Sequence, residues 1–250
     1  MSIKGKWARL WIDEFSLSAK TQTATINMGV QREEVTAWQD TARTYLTTNT
    51  ESSIELTGYV DTLADGAGGF EEVLADRLGG GNTVQVGILL AEDATNEAGM
   101  PVYVLPATSG ERMNISAPAA GILTMDGTFG DGDAGMRRGV LVYQGTFSAT
   151  GNQTAVDIGA AGAAGGDVWV WVTAITGTAT NASVKVQSAT TSGGTYADEA
   201  TVTFSATGGY AAAMTGTVNR WLRLNVAWMG GATAITLAVV VGVDGVTQPA

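Results

Sequence analysis

The sequence predicts an all-β protein built from antiparallel sheets. Apolar and polar residues alternate with a period of two along most of the chain, as in strands that bury one face. Glycine makes up 34 of the 250 residues, about twice its usual share, and with Thr and Asn it marks turns between these segments. Only one segment has the apolar spacing of a helix. Short strands joined by such turns are typical of antiparallel sandwiches and barrels.

The alternating segments recur from the N terminus to the C terminus. In the second of them, Ile54, Leu56 and Val60 share one face, while Glu55 and Thr57 lie on the other. We therefore expect the strand to bury its apolar face and to leave the polar face free. The segments with this pattern are residues 7–12, 53–61, 84–88, 140–143, 168–172, 184–187, 222–226 and 235–241.

The single helix is predicted over residues 70–78. Its first turn is acidic and Arg77 lies in its last turn, which suits the helix dipole. Three glycines at 79–81 predict its end, and this position after the helix makes them a poor phosphate-binding loop. We expect the helix to lie across the open end or the flank of a sandwich, with its apolar stripe formed by Phe70, Val73, Leu74 and Leu78.

Charge and composition change near residue 150. Residues 1–150 hold 19 acidic and 10 basic residues, and residues 151–250 hold 5 and 3. The second part is dominated by Ala, Gly, Thr and Val, and a polar turn at 147–152 precedes its first alternating segment. We predict two domains, 1–150 and 151–250, the second an immunoglobulin-like β-sandwich.

Several function classes are excluded by what the chain lacks. It has no cysteine and no histidine, which excludes disulfides, thiol nucleophiles, zinc fingers and any triad with an imidazole base. The net charge of −11 disfavours binding along nucleic acid phosphates. No signal peptide and no apolar run of membrane-spanning length is present. We expect a protein made in the cytoplasm, with no membrane, no cofactor and no metal.

Two groups of acidic residues could form a functional site, one as a calcium loop and the other as a catalytic pair, but each also has a purely structural interpretation. Asp126, Asp131 and Asp133 lie among glycines, but their spacing is not that of a calcium loop, so we interpret them as a polar hairpin turn. Adjacent acids such as Glu33 and Glu34 face opposite ways on a strand and make a poor catalytic pair. No pairing of nucleophile and base is visible, and we expect no enzyme.

Seven tryptophans remain. Trp169 and Trp171 share one face of a strand, while Trp221 and Trp228 lie in the last third. If exposed, their rings could stack on sugars; if buried, they belong to a core or a subunit interface, which we favour because aromatic residues are enriched at both.

Three short motifs in the first part resemble the major tail tube protein of long-tailed bacteriophages. The string Ile-Asp-Glu-Phe-Ser-Leu-Ser occupies residues 12–18, Val-Thr-Ala-Trp-Gln-Asp-Thr-Ala-Arg occupies 35–43, and Ser-Ile-Glu-Leu-Thr-Gly-Tyr-Val-Asp occupies 53–61. The helix at 70–78 and the strand near 140–147 fall where that family has them. The resemblance covers about residues 1–150. Residues 151–250 look like the extra β-sandwich domains that some tail tube proteins carry outside.

The resemblance implies a tail-tube-type β-sandwich or barrel and a structural role in the virion. In that family stacked rings, usually hexameric, join their inner sheets around a lumen through which DNA passes without specific binding. The implied partners are further copies of the chain, the tape measure protein, and the tail terminator and tip proteins. A carbohydrate-binding or adhesion module and a capsid decoration protein are the alternatives.

The resemblance and the strand pattern together suggest two sets of assembly residues. A long loop at 37–52 is predicted to mediate ring-to-ring stacking, because long loops in structural proteins commonly bind a partner. Its candidate contact residues are Trp38, Asp40, Arg43, Tyr45, Thr47 and Asn49. The free faces of the strands near 21–35 and 53–61 are predicted to line the lumen, together with the strand near 140–147. Their candidate lumen residues are Glu33 or Glu34, with Glu55 and Thr57.

Overall fold

The structure, a computed structural model, describes residues 8–34, 45–60, 69–78, 84–91, 97–118, 121–131 and 135–245. These residues are mostly strand, with one short helix, and the sheets are antiparallel, which confirms the all-β prediction. No helix in the described part is long and apolar enough to cross a membrane. In chain order the elements are β1 (Arg9–Ile12), β2 (Phe15–Ser16), β3 (Thr21–Glu34), β4 (Tyr45–Tyr59), α1 (Phe70–Asp76), β5 (Val84–Leu89), β6 (Pro101–Ser116), β7 (Thr124–Asp131), β8 (Arg137–Phe147), β9 (Gly151–Asn152), β10 (Val156–Asp157), β11 (Gly166–Gly177), β12 (Ala182–Ala189), β13 (Ala197–Phe204), β14 (Gly208–Met214), β15 (Trp221–Trp228) and β16 (Ala232–Val243).

The chain divides into two compact units, and the division between them differs from the boundary predicted at residue 150. Unit 1 combines Met1–Ala19, Val84–Pro106 and Arg137–Ala250, and unit 2 combines Lys20–Thr83 and Ala107–Met136. Residue 150 falls inside unit 1, where β8 pairs with β16 from Val140 to Phe147. Alternation shows which residues share a face but not which strands pair, and this is why composition alone suggested a different boundary.

Unit 1 contains two sheets. In the first sheet the strand order is β14-β11-β16-β8-β6-β5-β1-β2, and in the second it is β10-β15-β12-β13, with β9 beside β15. One face of β11 and β16 packs against the second sheet in a core that includes Val170, Val239 and Leu224. This arrangement is a sandwich of two antiparallel sheets; its predicted immunoglobulin-like topology stays a prediction.

The opposite face of the first sheet of unit 1 is also buried. Trp169 and Trp171 of β11 and Val240 of β16 belong to a core that also holds Trp11 of β1 and Leu89 of β5. Strands buried on both faces have nearly continuous apolar sequences, and β16 shows this between Leu237 and Val243. The prediction that the tryptophans of β11 are core residues is confirmed, since they are 2% and 0% exposed.

Two strands of unit 1 differ from the simple alternation expected of them. In β1, Leu10, Trp11 and Ile12 are all buried, and every residue of β5 is buried. Gln85 is the polar member of β5, and its side-chain amide donates to the carbonyl oxygen of Val170 at 3.4 Å. Two-sided burial explains why these strands do not present one polar face to solvent.

Unit 2 is a four-stranded antiparallel sheet with a helix on one face. The strand order is β3-β4-β7-β6, and β6 enters this unit at Ala107. The buried residues beneath the helix include Ile54, Leu56, Met125 and Phe129. Helix α1 contributes Phe70, Val73 and Leu74 to this layer, as its apolar spacing predicts. Leu78, the fourth predicted member of the apolar stripe, follows the helix and is 41% exposed.

Glycines in three neighbouring strands make room for α1. A Cβ on Gly58 of β4 would lie 2.7 Å from the Phe70 ring, and one on Gly127 of β7 would lie 2.9 Å from Leu74. A Cβ on Gly110 of β6 would lie 2.7 Å from the carbonyl oxygen of Arg77. The helix therefore approaches the sheet more closely than side chains in these positions would allow. It is two residues shorter than predicted, since it ends at Asp76.

Candidate assembly surface

Most of the net charge of the chain is concentrated in unit 2. The residues assigned to this unit include 14 acidic and 5 basic side chains, whereas those of unit 1 include 10 and 8. Unit 2 therefore has a net charge of −9, out of −11 for the whole chain. Unit 2 is also the smaller of the two units, so its charge density is far higher.

The face of the unit 2 sheet that α1 does not cover is polar throughout. Along β4, Ile54 and Leu56 are buried, whereas Glu55 is exposed and Thr57 half-buried. The same alternation continues in the strands paired with β4, because directly paired residues share a face. We call this surface the polar face; its residues are Thr23, Thr25, Asn27, Glu51, Ser53, Glu55, Thr57, Tyr59, Arg112, Asn114, Ser116, Thr124, Asp126 and Thr128.

Side-chain amides position two carboxylates on the polar face. The Asn27 amide of β3 donates to Glu55 Oε1 at 3.1 Å and to Ser53 Oγ at 3.3 Å. Nearer the other edge of the sheet, on the same polar face, the Asn114 amide of β6 donates to Asp126 Oδ2 at 3.0 Å. These cross-strand bonds fix the positions of the two carboxylates on the polar face, and the donors add no positive charge because an amide is uncharged.

The outermost strands of this sheet have unpaired edges within the described residues. At one side, β3 pairs with β4 alone, and at the other, residues 112–116 of β6 pair with β7 alone. Apolar side chains are exposed beside both edges, on the same side of the sheet as α1. Met28 of β3 is 62% exposed and Ile115 of β6 is 52% exposed. Unpaired edges of this kind favour pairing with another strand.

The β3–β4 hairpin extends well beyond the rest of the sheet. β4 pairs with β7 only from Ser53 to Tyr59, whereas its pairing with β3 continues to Tyr45, opposite Glu34. The eight residues 45–52 therefore belong to a two-stranded ribbon about 26 Å long, at roughly 3.3 Å per residue. We call this segment, which pairs residues 28–34 with 45–52, the ribbon.

The predicted stacking residues fall into two groups, one outside and one inside the described residues. Trp38, Asp40 and Arg43 lie outside the described residues. Tyr45, Thr47 and Asn49 lie in strand β4, so the prediction that the loop extends to residue 52 is wrong. The Thr-rich sequence was interpreted as a loop because it is polar, but Thr is β-branched and favours strands, and a ribbon can be polar on both faces.

The predicted lumen residues Glu33, Glu34, Glu55 and Thr57 lie on β3 and β4. The strand near 140–147, also predicted to line the lumen, is β8 of unit 1, and it has no free face there because Val140, Leu141 and Val142 are all buried. Glu55 and Thr57 share the polar face, as the alternation predicts. Glu33 pairs with Leu46 and Glu34 with Tyr45, beyond a register irregularity between Val30 and Arg32. Their side chains lie outside the described residues. Whether any of these residues lines a lumen stays a prediction.

Sequence reasoning missed the contribution of β6 and β7 to the polar face. Asp126 was interpreted as part of a turn, but it lies in β7 opposite Thr57 and Asn114. Asp131 is the last residue of that strand, and Asp133 lies outside the described residues. The alternation of Met125, Gly127 and Phe129 with polar residues would have revealed the strand, but Asp-Gly is also a strong turn signal.

A polar network also covers the second sheet of unit 1. The Lys185 ammonium and the Gln187 amide both donate to the Asp198 carboxylate, and Arg223 donates to Gln187 Oε1 at 2.8 Å. The hydrogen bond from Lys185 lowers the pKa of Asp198 below its ordinary value, with a smaller contribution from Gln187.

A second ion pair lies at the edge of the same sheet. Arg220 donates two hydrogen bonds to the Asp157 carboxylate, at 2.7 and 2.6 Å. They lower the pKa of Asp157, and a backbone hydrogen bond from Gly159 adds to this effect. The pairs are exposed and each side chain has a partner, so we interpret them as cross-strand stabilisation.

No protein-family model matches the chain, and no curated protein matches its sequence. Its fold is similar to a chain of the virion of a native gene transfer agent particle (TM-score 0.39, 14% identity, 54% of this chain and 97% of that chain). It is also similar to the SPP1 tail tube (TM-score 0.43, 14% identity, 55% and 78%). A third similar structure is the Dit protein of SPP1, from the hub adsorption apparatus of phages infecting Gram-positive bacteria (TM-score 0.34, 12% identity, 94% and 98%).

Proposed function

We propose that this chain is a structural protein of a bacteriophage tail, which assembles into closed, stacked rings around a hollow tube. The observation that carries the proposal is the unit 2 sheet, which combines two unpaired edges with one polar, acidic face. The sequence motifs at 12–18, 35–43 and 53–61 support the same role by resemblance. Catalysis has no part in this role.

Lateral pairing between copies is compatible with the strand directions. All four strands of the sheet are antiparallel to their neighbours, so β3 and β6 at its two edges run in opposite directions. Copies related by rotation about a tube axis keep the same strand direction along that axis. If β3 of one copy lies beside β6 of the next, the antiparallel alternation therefore continues unbroken around the ring. A head-to-tail contact of this kind closes into a ring when the rotation allows.

The exposed apolar side chains at the edges support the same arrangement. Met28 and Ile115 lie on the α1 side of the sheet, where the buried residues are apolar. Joining β3 to β6 places a strand of the neighbouring copy beside each of these edges and extends the apolar layer across the seam. It also provides hydrogen-bond partners for the edge backbone groups, which would otherwise bond only to water.

The polar face has the chemistry expected of a channel wall for DNA. Among the described side chains of this face, Glu51, Glu55 and Asp126 outnumber the cation Arg112. A wall of net negative charge repels DNA phosphates and favours passage over retention. A basic wall would instead attract DNA phosphates at every ring, and the attraction summed over many rings would hold the DNA in place. The lumen assignment concerns unit 2 alone, and the outer placement of residues 151–250 stays a prediction.

The further partners proposed by resemblance are the tape measure protein inside the tube and the terminator and tip proteins at its ends. Six copies per ring is the number that the resemblance implies. The carbohydrate-binding alternative loses Trp169 and Trp171, which are buried in unit 1, but keeps Trp228, which is 59% exposed. For a capsid decoration protein the chain offers no specific supporting feature in its described part.

Negative-stain electron microscopy of the purified chain tests the proposal. We expect rings or long hollow tubes, with assembly increasing with protein concentration. A monodisperse monomer at all concentrations would contradict the proposal. Glycan binding by such a monomer would favour the adhesion alternative, and binding only to preformed capsids would favour the decoration alternative.

A further inference from the structure

Trp228 is an exposed tryptophan in a unit whose other large apolar side chains are packed. Among the described residues of unit 1 it is the only large apolar side chain that is exposed, at 59%. Tryptophan is highly buried on average, so a ring left in solvent needs an explanation. Trp228 pairs with Ser183 of β12, whose neighbours Ala182 and Val184 belong to the core. Directly paired residues share a face, so the ring lies on the face of the second sheet that points away from the core.

Three more residues of β15 share this face with Trp228. The residues at 222, 224 and 226 are buried in the core, and the alternation of a strand places Trp221, Arg223 and Asn225 on the opposite face. The two tryptophans are about 20 Å apart along the sheet, at roughly 3.3 Å per residue between their partners on β12. We call this surface the tryptophan face; its residues are Asn152 of β9, Lys185 and Gln187 of β12, and Trp221, Arg223, Asn225 and Trp228 of β15.

Contacts between neighbouring strands fix the polar side chains between the two tryptophans. The Asn225 amide donates to Asn152 Oδ1 at 2.7 Å, and Arg223 Nε donates to Gln187 Oε1 at 2.8 Å. The Arg223 guanidinium also lies over the Tyr196 ring, 3.9 Å from its centroid. In these hydrogen bonds Arg223 uses one of its five N–H donors and Asn225 one of its two. The face therefore presents further donors and acceptors in a fixed arrangement.

We propose that the tryptophan face binds an uncharged oligosaccharide. A sugar ring has a face of C–H groups that packs on an aromatic ring, and hydroxyl groups at its edge that bond to amide and guanidinium groups. Trp221 and Trp228 provide an aromatic surface at each end of the face, and Arg223, Asn225 and Asn152 provide the polar groups between them. The distance between the tryptophans suits a chain of several sugars rather than a single one. This binding is separate from the proposed role in assembly, since every residue of the face belongs to unit 1.

Charge and composition favour an uncharged sugar over other partners. The Lys185 ammonium is paired with the Asp198 carboxylate, which leaves Arg223 as the one cation of the face without a carboxylate partner in the described residues. Nucleic acids and other polyanions require clustered cations, and a chain with a net charge of −11 repels them. A protein partner would favour an apolar centre, whereas the side chains between the two tryptophans are polar.

An array of immobilised tetrasaccharides tests the proposal with the full-length chain. It carries neutral tetrasaccharides of glucose, galactose, mannose, rhamnose and N-acetylglucosamine, with sulfated tetrasaccharides from heparin as the charged comparison. We expect the chain to be retained on at least one neutral sugar, with an affinity that changes little when the salt concentration is raised, because screening acts only between charges. Retention on the sulfated sugars alone, or on none of the sugars, would overturn the proposal.

Two variants test whether the binding takes place on the tryptophan face. Trp228→Ala should weaken binding of the retained neutral sugar by roughly tenfold or more, as the loss of an aromatic anchor does, and Asn152→Ala should weaken it about threefold. Both side chains are exposed, so the melting temperature of each variant should stay close to that of the unmodified chain. Ile122→Ala is the matched control, because it removes a large apolar side chain that is exposed in unit 2.

The outcomes separate this inference from the proposed function. Unchanged affinity in folded Trp228→Ala and Asn152→Ala, or an equal loss in Ile122→Ala, would overturn the assignment of the sugar to this face. Tubes that bind none of the sugars would overturn the binding proposal alone. A chain that stays monomeric but binds a neutral sugar through Trp228 would overturn the proposed function and support the binding proposal.

Discussion

Trp11 stacks on Trp171, with ring centroids 5.7 Å apart and an interplanar angle of 28°. Trp11 belongs to the first strand of the chain and Trp171 to the eleventh, and both are almost completely buried. The indole nitrogen of Trp171 also donates to the carbonyl oxygen of Gln85 at 3.1 Å. This contact joins the N-terminal strands of unit 1 to its C-terminal strands, so both depend on one core.

Replacing Trp171 by Ala should strongly destabilise unit 1. The change removes a fully buried ring, its stacking on Trp11 and its hydrogen bond to Gln85, and such a truncation typically costs about 3–5 kcal/mol. The free energy of unfolding from denaturant titration measures the effect. Trp228→Ala is the control, because that ring is 59% exposed and surface changes usually stay within about 0.5 kcal/mol. Equal losses in the two variants would contradict the shared core.

A chain that ends at Thr150 should fail to fold unit 1. It lacks β11, which supplies the buried Trp169 and Trp171, and β16, which pairs with both β11 and β8. We expect aggregation, or loss of the near-ultraviolet circular dichroism signal from packed aromatic residues. A soluble, cooperatively melting fragment of residues 1–150 would restore the domain boundary that composition suggests.

The domain boundary illustrates what the sequence could and could not predict. Alternation identified most of the longer strands and the exposed face of β4, because a period of two follows directly from strand geometry. It did not identify β6, β7, β13 or β14. It could not show that β1 and β5 are buried on both faces, since that depends on distant strands such as β11. The composition change at 150 falls inside unit 1.

For the candidate assembly residues, the sequence could predict which face of a strand they occupy, because that follows from alternation. Glu55 and Thr57 could be assigned to a polar face because Ile54 and Leu56 flank them. The unpaired edges could not be predicted, because they depend on which strands lie outermost. The ribbon was missed because a polar, Thr-rich segment resembles a loop in composition.

Adding a methyl group at Gly58 should weaken the packing of α1 on the unit 2 sheet. In Gly58→Ala the new Cβ would meet the Phe70 ring and the Lys20 carbonyl oxygen, each at 2.7 Å, and overpacking of this kind typically costs about 1–3 kcal/mol. Gly29→Ala in the same sheet is the control, because its Cβ would lie 3.6 Å from the nearest atom. Thermal unfolding compares the two. A melting temperature for Gly58→Ala equal to that of Gly29→Ala would show that α1 does not pack as described.

Acidification should remove the contribution of the Asp157–Arg220 ion pair. The pKa of Asp157 in the folded chain is lowered by Arg220, so this contribution is present above the ordinary Asp pKa of about 3.9. It is lost as the pH falls through the lower pKa of the folded state. We expect Asp157→Asn to lower the melting temperature slightly at pH 7 and to match the unmodified chain near pH 2. A difference between them that is independent of pH would exclude this role for the carboxylate.

Reversing the charge of Glu55 should slow DNA passage without preventing assembly. Glu55→Lys changes an exposed residue of the polar face and leaves the α1 side unaltered. Its new positive charges should attract phosphates, with an effect that weakens at high salt because screening limits it to about 8–10 Å. The time course of genome ejection, followed by fluorescence of released DNA, measures this effect. Asp76→Lys, at the exposed C-terminal end of α1, carries the same charge change and should eject at the normal rate.

High-resolution cryo-electron microscopy of the assembled chain tests the central claim most directly, because it shows both the assembly and the orientation of the unit 2 sheet. The account predicts stacked rings in which β3 of one copy pairs with β6 of the next and the Glu55 carboxylates face the lumen. A chain that remains monomeric, or a tube in which Glu55 faces the outside, would contradict it.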